Sequence, residues 1–251
     1  MSPTAVGLLV FVCVFGAGLL GMLLRAALPR HHLSPDTKDV VRLAMGLVAT
    51  MTALVLGLLV ASAKGAWDAQ KTGVAEMAAK VAFLDGVLAT YGTETAEARA
   101  VLRDAVRAAL ARVWPEKKSA APQLGPDTTR GPALYEAIQK LSPQSEAQRS
   151  LKSQAAGTAM ELAQMRWLLF EQAGTSISTV LLAIVILWLA LLFLSFGMFA
   201  PANTTAIAAL MVAALSVSAA LFLILELDRP FGGLIEVSNE PILKALRYLW
   251  H

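Results

Sequence analysis

Four apolar runs, separated by stretches of very different polarity, organise this chain. The last two are the clearest. Residues 178–199 and 204–225 contain no Lys, Arg, Asp, Glu or His. Each is long enough to cross a hydrocarbon core of about 30 Å at about 1.5 Å per residue. Only Ala200, Pro201, Ala202 and Asn203 separate them, so the pattern predicts an antiparallel hairpin of two membrane helices. The first run, 5–24, has no basic segment before it and is longer than the core of a secretory signal, so a retained membrane helix is expected. The second, 43–63, completes a predicted set of four spans.

The polar stretch 25–42 joins the first two spans. Within it Ser34 reads as an N-cap and Pro35 as the first helical residue, with Asp36 and Asp39 near the positive end of the new helix dipole. Small residues recur every four positions in both helices: Cys13, Ala17 and Gly21 in the first, Ala49, Ala53, Gly57 and Ala61 in the second. Such stripes let helices approach closely in lipid.

Residues 64–174 change character, with Ala, Glu, Lys, Arg and Gln at helical period and almost no strand signal. An extramembrane helical domain inserted between spans two and three is expected. Trp67, Val74, Ala78, Val81, Leu84, Leu88 and Tyr91 form an apolar stripe, so the second helix should run well past the bilayer until Gly92 stops it. A helix opened by Thr93 has Ala98, Val101, Leu102, Ala105, Val106, Ala109 and Leu110 on one face and Arg99, Arg103 and Arg107, a solvated stripe, on the other. After a proline-rich loop, 114–130, comes a short helix over 132–141. Ser142 and Pro143 then give a cap-plus-proline start for the helix leading to span three. Two long helices entering the membrane from one domain read as a rigid stalk or as a lever on the membrane helices. Residues 232–251 read as a C-terminal tail.

Composition agrees with an all-α protein divided between lipid and water: 57% hydrophobic and 16% charged residues, with a mean hydropathy of +0.61. A net charge of +3 is mild, and no basic stretch is interleaved with exposed aromatics, so no nucleic-acid partner is expected. The single cysteine, Cys13, cannot make an intrachain disulfide. Basic residues flank membrane ends on both sides: Arg25, Arg30, Lys38 and Arg42 on one, Lys64, Lys71, Arg166, Arg229, Lys244 and Arg247 on the other. Charge therefore leaves the orientation open.

Candidate chemistry is sparse. No Ser-His-Asp set, Cys-His pair, phosphate loop or zinc-protease motif occurs, so neither an enzyme nor a cofactor is expected. His31 and His32, near Asp36 and Asp39, do not share a helix face, so a loop titrating near neutral pH is a better reading than a metal site. Glu226, Asp228 and Arg229 stand where the last span ends, followed by Pro230, Gly232 and Gly233. Charges there either pair to fix the helix end or mark an ion pathway.

Two blocks carry a resemblance. Residues 31–64, HHLSPDTKDVVRLAMGLVATMTALVLGLLVASAK, and 226–238, ELDRPFGGLIEVS, are similar to the bacterial membrane proteins called bestrophin-like. That family's hairpin turn tends to read Ala-Pro-Arg-Asn where this chain has Ala200, Pro201, Ala202 and Asn203, so the turn's arginine is missing. The resemblance implies remote kinship with bestrophins, pentameric anion channels with four membrane helices per subunit and a cytosolic helical domain. It implies an inner-membrane homo-oligomer with the helical domain cytoplasmic. Its pore would be lined by small or apolar side chains of the second span around Thr50, Thr52 and Leu56, gated by dewetting. His31, His32, Asp36, Lys38, Asp39, Asn203, Glu226, Asp228 and Arg229 would be mouth or gating residues. The expected function is an oligomeric, channel-like protein passing ions, with anions implied by analogy. The rival is a non-conducting scaffold or sensor whose helical domain binds a partner protein or lipid. A transporter ranks third, because no broken span or buried ionisable group marks a midplane site.

Overall fold

Pro35 and Gly92 bracket the longest element. A proline lacks the N–H that a helix start leaves unpaired anyway, and Gly92 adopts φ 132°, which side chains with a Cβ rarely reach. In the computed structural model, which describes residues 2–27, 35–115, 125, 130–173 and 177–248, the helices are α1 (Pro3–Ala27), α2 (Pro35–Tyr91), α3 (Ala96–Val113), α4 (Arg130–Gln139), α5 (Glu146–Gln172), α6 (Thr179–Phe199), α7 (Thr204–Leu227) and α8 (Glu240–Tyr248). No strand occurs among the described residues. α1, α2, α6 and α7 are long and apolar enough to cross a membrane. The chain divides into two units, residues 1–65 with 176–228, and residues 66–175 with 229–251.

The first unit is built around α1, which packs along both α6 and α7. Its buried face is Gly7, Val10, Val14, Gly18 and Gly21, while Cys13 is exposed. The expected stripe of Cys13, Ala17 and Gly21 is therefore rotated in the fold. Spacing alone could not distinguish two small-residue faces of one helix, and the closer contact selected the one with more glycine. A Cβ on Gly21 would collide with the Leu194 carbonyl oxygen and reach 2.8 Å from the Met198 nitrogen. A Cβ on Gly197 would collide with the Gly18 carbonyl oxygen. α1 and α6 thus meet backbone to backbone, the close approach that dispersion-driven packing in lipid favours. Val185, Leu189 and Phe193 of α6 and Leu210, Ala214 and Leu221 of α7 fill the rest of this core, with Leu59 and Ala63 from α2.

In the second unit the predicted stripe of α2 is buried: Val74, Ala78, Val81, Leu84, Leu88 and Tyr91 join Ala98, Leu102 and Val106 of α3 and Ala155 and Ala159 of α5. The turn after Gly92 is a 3-10 segment, Thr93–Thr95, and α3 starts at Ala96. The buried Thr95 hydroxyl bonds to the carbonyl oxygens of Leu88 and Gly92, 2.7 Å each, tying the turn to the end of α2. α5 begins later than Ser142 and Pro143 suggest. Ser145 is the N-cap, accepting from the Gln148 N–H at 3.1 Å, while the Gln148 side chain accepts from the Gln144 N–H at 2.8 Å. Ser145 satisfies one end donor of α5 and Gln148 ties the preceding Gln144 to the first turn, contacts that a lone Ser-Pro pair does not supply.

The last residues close this second unit. Phe231, Val237, Ile242 and Ala245 are buried in its core. Val237 N–H donates to the Pro230 carbonyl (2.8 Å), and Trp114 donates its indole N–H to the Val237 carbonyl (2.8 Å) while meeting Phe231 edge-on at 5.6 Å. Much of the block ELDRPFGGLIEVS is thus a clasp. Trp114→Phe keeps an aromatic ring and removes one part-buried hydrogen bond. It should lower the unit's stability by about 1–2 kcal/mol, measured by denaturant unfolding of the full chain. A midpoint equal to wild type would show that the clasp does not hold the fold.

Candidate functional site

The three residues expected to line a pore, Thr50, Thr52 and Leu56, all lie on the part of α2 that belongs to the first unit. The buried side of α2 carries Thr52, Leu59 and Ala63, with Val55 and Leu56 partly covered. At 100° per residue Thr50 lies about 160° from Thr52, on the opposite side. Thr50 is exposed, together with Leu43, Leu47, Leu54 and Leu58. The three pore candidates are therefore split, with Thr50 facing outward and Thr52 and Leu56 facing the chain's own bundle. Both threonine hydroxyls bond back to their own helix, Thr50 to Gly46 O at 2.9 Å and Thr52 to Val48 O at 2.7 Å. Neither hydroxyl needs an outside partner.

The small stripe of α2 is also outward. Ala53, Gly57 and Ala61 are exposed, and a Cβ on Gly46 or Gly57 would meet nothing within 4 Å. Packing within the chain leaves these three residues uncovered. Burial differs accordingly among the spans. The most apolar stretch of α2 is 11% buried, against 28% for α1, 33% for α6 and 28% for α7.

The mouth candidates fall into three environments. His31 and His32 lie outside the described residues, as does the expected cap Ser34. Asp36 stands in the first turn of α2, where the helix dipole favours a carboxylate. Lys38 is half-buried and Asp39 exposed. Asp39 faces Arg42 at 3.5 Å, with both side chains 70% exposed, a pair that solvent screens to little value. Asn203 is the N-cap of α7, its side-chain oxygen accepting from the Ala206 N–H at 2.8 Å. Asn203→Ala should cost about 1 kcal/mol of stability by loss of this cap, seen as a lower thermal midpoint. An unchanged midpoint would show that this cap does not hold the hairpin.

Glu226 and Asp228 are buried, 3% and 8% exposed, Arg229 is exposed, and none of the three lacks a partner. The two carboxylates therefore do not line an open surface of the chain. Sequence reasoning missed Arg25 as a turn residue. It stands in the last turn of α1, and its guanidinium donates to the Ala200 carbonyl at the C-cap of α6, where the helix dipole is negative. The turn that lacks an arginine at position 202 receives one from a neighbouring helix. Its signal in the sequence was a basic residue in the last turn of a span, which reads equally well as a topology marker.

Among the described residues no group of three or more His, Cys, Asp or Glu side chains could hold a metal ion. Compared with known proteins, residues 12–242 match a family model described as the bestrophin-like domain. No curated protein and no solved structure matches the chain.

Proposed function

The chain belongs to the bestrophin-like family, and from that membership we propose that copies of it assemble into a channel-like oligomer in the membrane, with ions as the transported species and anions as the expected class. The observation that carries this reading is the low coverage of α2, 11% against 28–33% for the other spans. An apolar span that its own chain covers so little has faces left for lipid and for other copies. The uncovered Gly46, Ala53 and Gly57 suit close helix approach between copies. Thr50, Leu43, Leu47 and Leu54 then form the small and apolar wall of the path, a surface that gates by dewetting. In this reading the second unit is the extramembrane domain on the cytoplasmic side of the inner membrane, inserted between the two hairpins and completed by the C-terminal residues.

The test is flux from liposomes holding purified protein under chloride and potassium gradients. Wild-type protein should conduct. Thr50→Trp should reduce flux by on the order of tenfold, whereas Leu9→Trp, on an exposed face of α1, should leave it unchanged. Flux untouched by Thr50→Trp would remove the outer face of α2 from the path. Tight liposomes containing correctly inserted protein would favour the scaffold or sensor reading instead.

A further inference from the structure

The last two turns of α5 carry an apolar arc that the second unit does not cover. Trp167, Leu168 and Phe170 are 53%, 51% and 38% exposed, and the indole meets the Phe170 ring edge-on at 6.1 Å. At 100° per residue these three side chains spread over about 160° of the helix surface. Leu169 takes the remaining side, against α2, where the Gln70 side-chain amide donates to the Leu169 carbonyl at 3.3 Å. Lys80 of α2 pairs with Glu161 of α5 further along. The two helices are therefore antiparallel, and the C-terminal end of α5 lies at the level of Gln70.

We propose that this arc is a lipid anchor, seated in the headgroup layer of the membrane and additional to the four spans. Its place along the chain favours lipid as the occupant. α2 is one helix from Pro35 to Tyr91, and Gln70 stands seven residues, about 10 Å, past Ala63 at the end of the second apolar run. A headgroup layer is about 5–8 Å thick on each side of the hydrocarbon, so side chains of ring size at this level reach it. Only six residues then separate Gln172, the end of α5, from Thr179, the start of the third span. The side chains fit the same place. Tryptophan combines an apolar body with a polar N–H and favours the membrane–water boundary. Glu171 is exposed on the same arc, which holds the contact at headgroup depth, because a carboxylate does not enter hydrocarbon at low cost. α2 carries a matching pair at this end of the unit, Trp67 with the Lys71 ammonium 5.5 Å from its ring. The breadth of the arc argues against a second protein helix as its cover. A helix faces a protein core with a stripe of about 100°, whereas lipid surrounds a helix end on every open side. The anchor pins the end of α5 just before the chain re-enters the membrane, and it does not depend on ion conduction.

The test is spin labelling of full-length protein in phosphatidylcholine liposomes. Cys13, the only cysteine, is replaced by serine, and single cysteines are then introduced at exposed positions. Leu168→Cys reports on the arc, Met160→Cys on α5 about 12 Å further back, and Leu187→Cys on the exposed side of α6. Each label is read for its accessibility to oxygen, which concentrates in the bilayer, and to a nickel chelate, which stays in water. The Leu168 label should meet the nickel chelate severalfold less often than the Met160 label and oxygen more often. Its nickel accessibility should stay above that at Leu187, as a headgroup position requires. Trp167→Cys is a second reporter on the arc, so poor folding of the Leu168→Cys protein leaves the question decidable. Accessibilities equal to those at Met160 would show that the arc faces water. Low access to both reagents would show that protein covers it, as a second copy would. Either result overturns the anchor. Ion flux has no part in the readout, so a silent channel and an unanchored α5 are separate outcomes.

Discussion

Gly197→Val is expected to leave almost no folded protein. α6 meets α1 at Gly197, Gly18 and Gly21, where a Cβ at 197 would overlap the Gly18 carbonyl oxygen and come within 3.1 Å of the Met22 nitrogen. Overpacking against movable side chains costs roughly 1–3 kcal/mol. Here the obstacle is backbone on the partner helix, so the helices must separate along a stretch of the interface. The loss should sit at or above the top of that range, roughly 3 kcal/mol or more, a large share of the roughly 5–15 kcal/mol that holds a folded chain together. Gly16→Ala is the control, because a Cβ at position 16 meets nothing within 4 Å. It should behave as wild type or slightly better, since alanine favours a helix more than glycine does. The readout is the yield of monodisperse protein in mild detergent and its thermal midpoint. A Gly197→Val protein that purifies and melts like wild type would mean that the α1–α6 contact is not the one described.

Asp85→Ala should be a strongly damaging change in the second unit. The Asp85 carboxylate is 9% exposed and receives two bonds from Arg99, Nε to Oδ1 at 2.7 Å and Nη2 to Oδ2 at 2.8 Å. The Arg99 side chain is 23% exposed. The Asp85 hydrogen bond, against a smaller opposing effect of burial, holds the Arg99 guanidinium above its usual range, so it stays charged throughout. Removing the carboxylate strands a largely desolvated cation, at a cost of about 3 kcal/mol, read from denaturant unfolding. The double replacement Asp85→Leu with Arg99→Met should recover most of that loss, because an apolar pair can substitute for a buried ion pair. A double variant with the two single losses simply added would show that the groups do not act as a pair. Surface pairs such as Lys244 with Glu240, 2.8 Å apart but both more than 60% exposed, should by contrast matter little.

The Asp85–Arg99 pair also marks the limit of reading charge from helical period. Arg99, Arg103 and Arg107 share a spacing that fits a solvated face, yet Arg99 turns to a carboxylate fourteen positions earlier on another helix. Thr50 and Thr52 give the same lesson in the membrane. Two residues apart, they read as one pore segment, but the rotation of α2 against its bundle puts them on opposite sides.

The sequence alone determined the four apolar spans, the start of α2 at Pro35, its end before Gly92 and the buried stripe from Val74 to Tyr91. Each of these depends on local physics, whether chain length against bilayer thickness, proline and glycine dihedrals, or the helical period. Tertiary structure alone decided which small face of α1 is buried, that Arg25 caps α6, that Ser145 begins α5 and that Phe231 and Val237 close the second unit. Those outcomes depend on helix rotation and on contacts between residues far apart in the chain. A period of 3.6 residues fixes which positions share a face, but only the packing of one helix against another chooses the face that is buried.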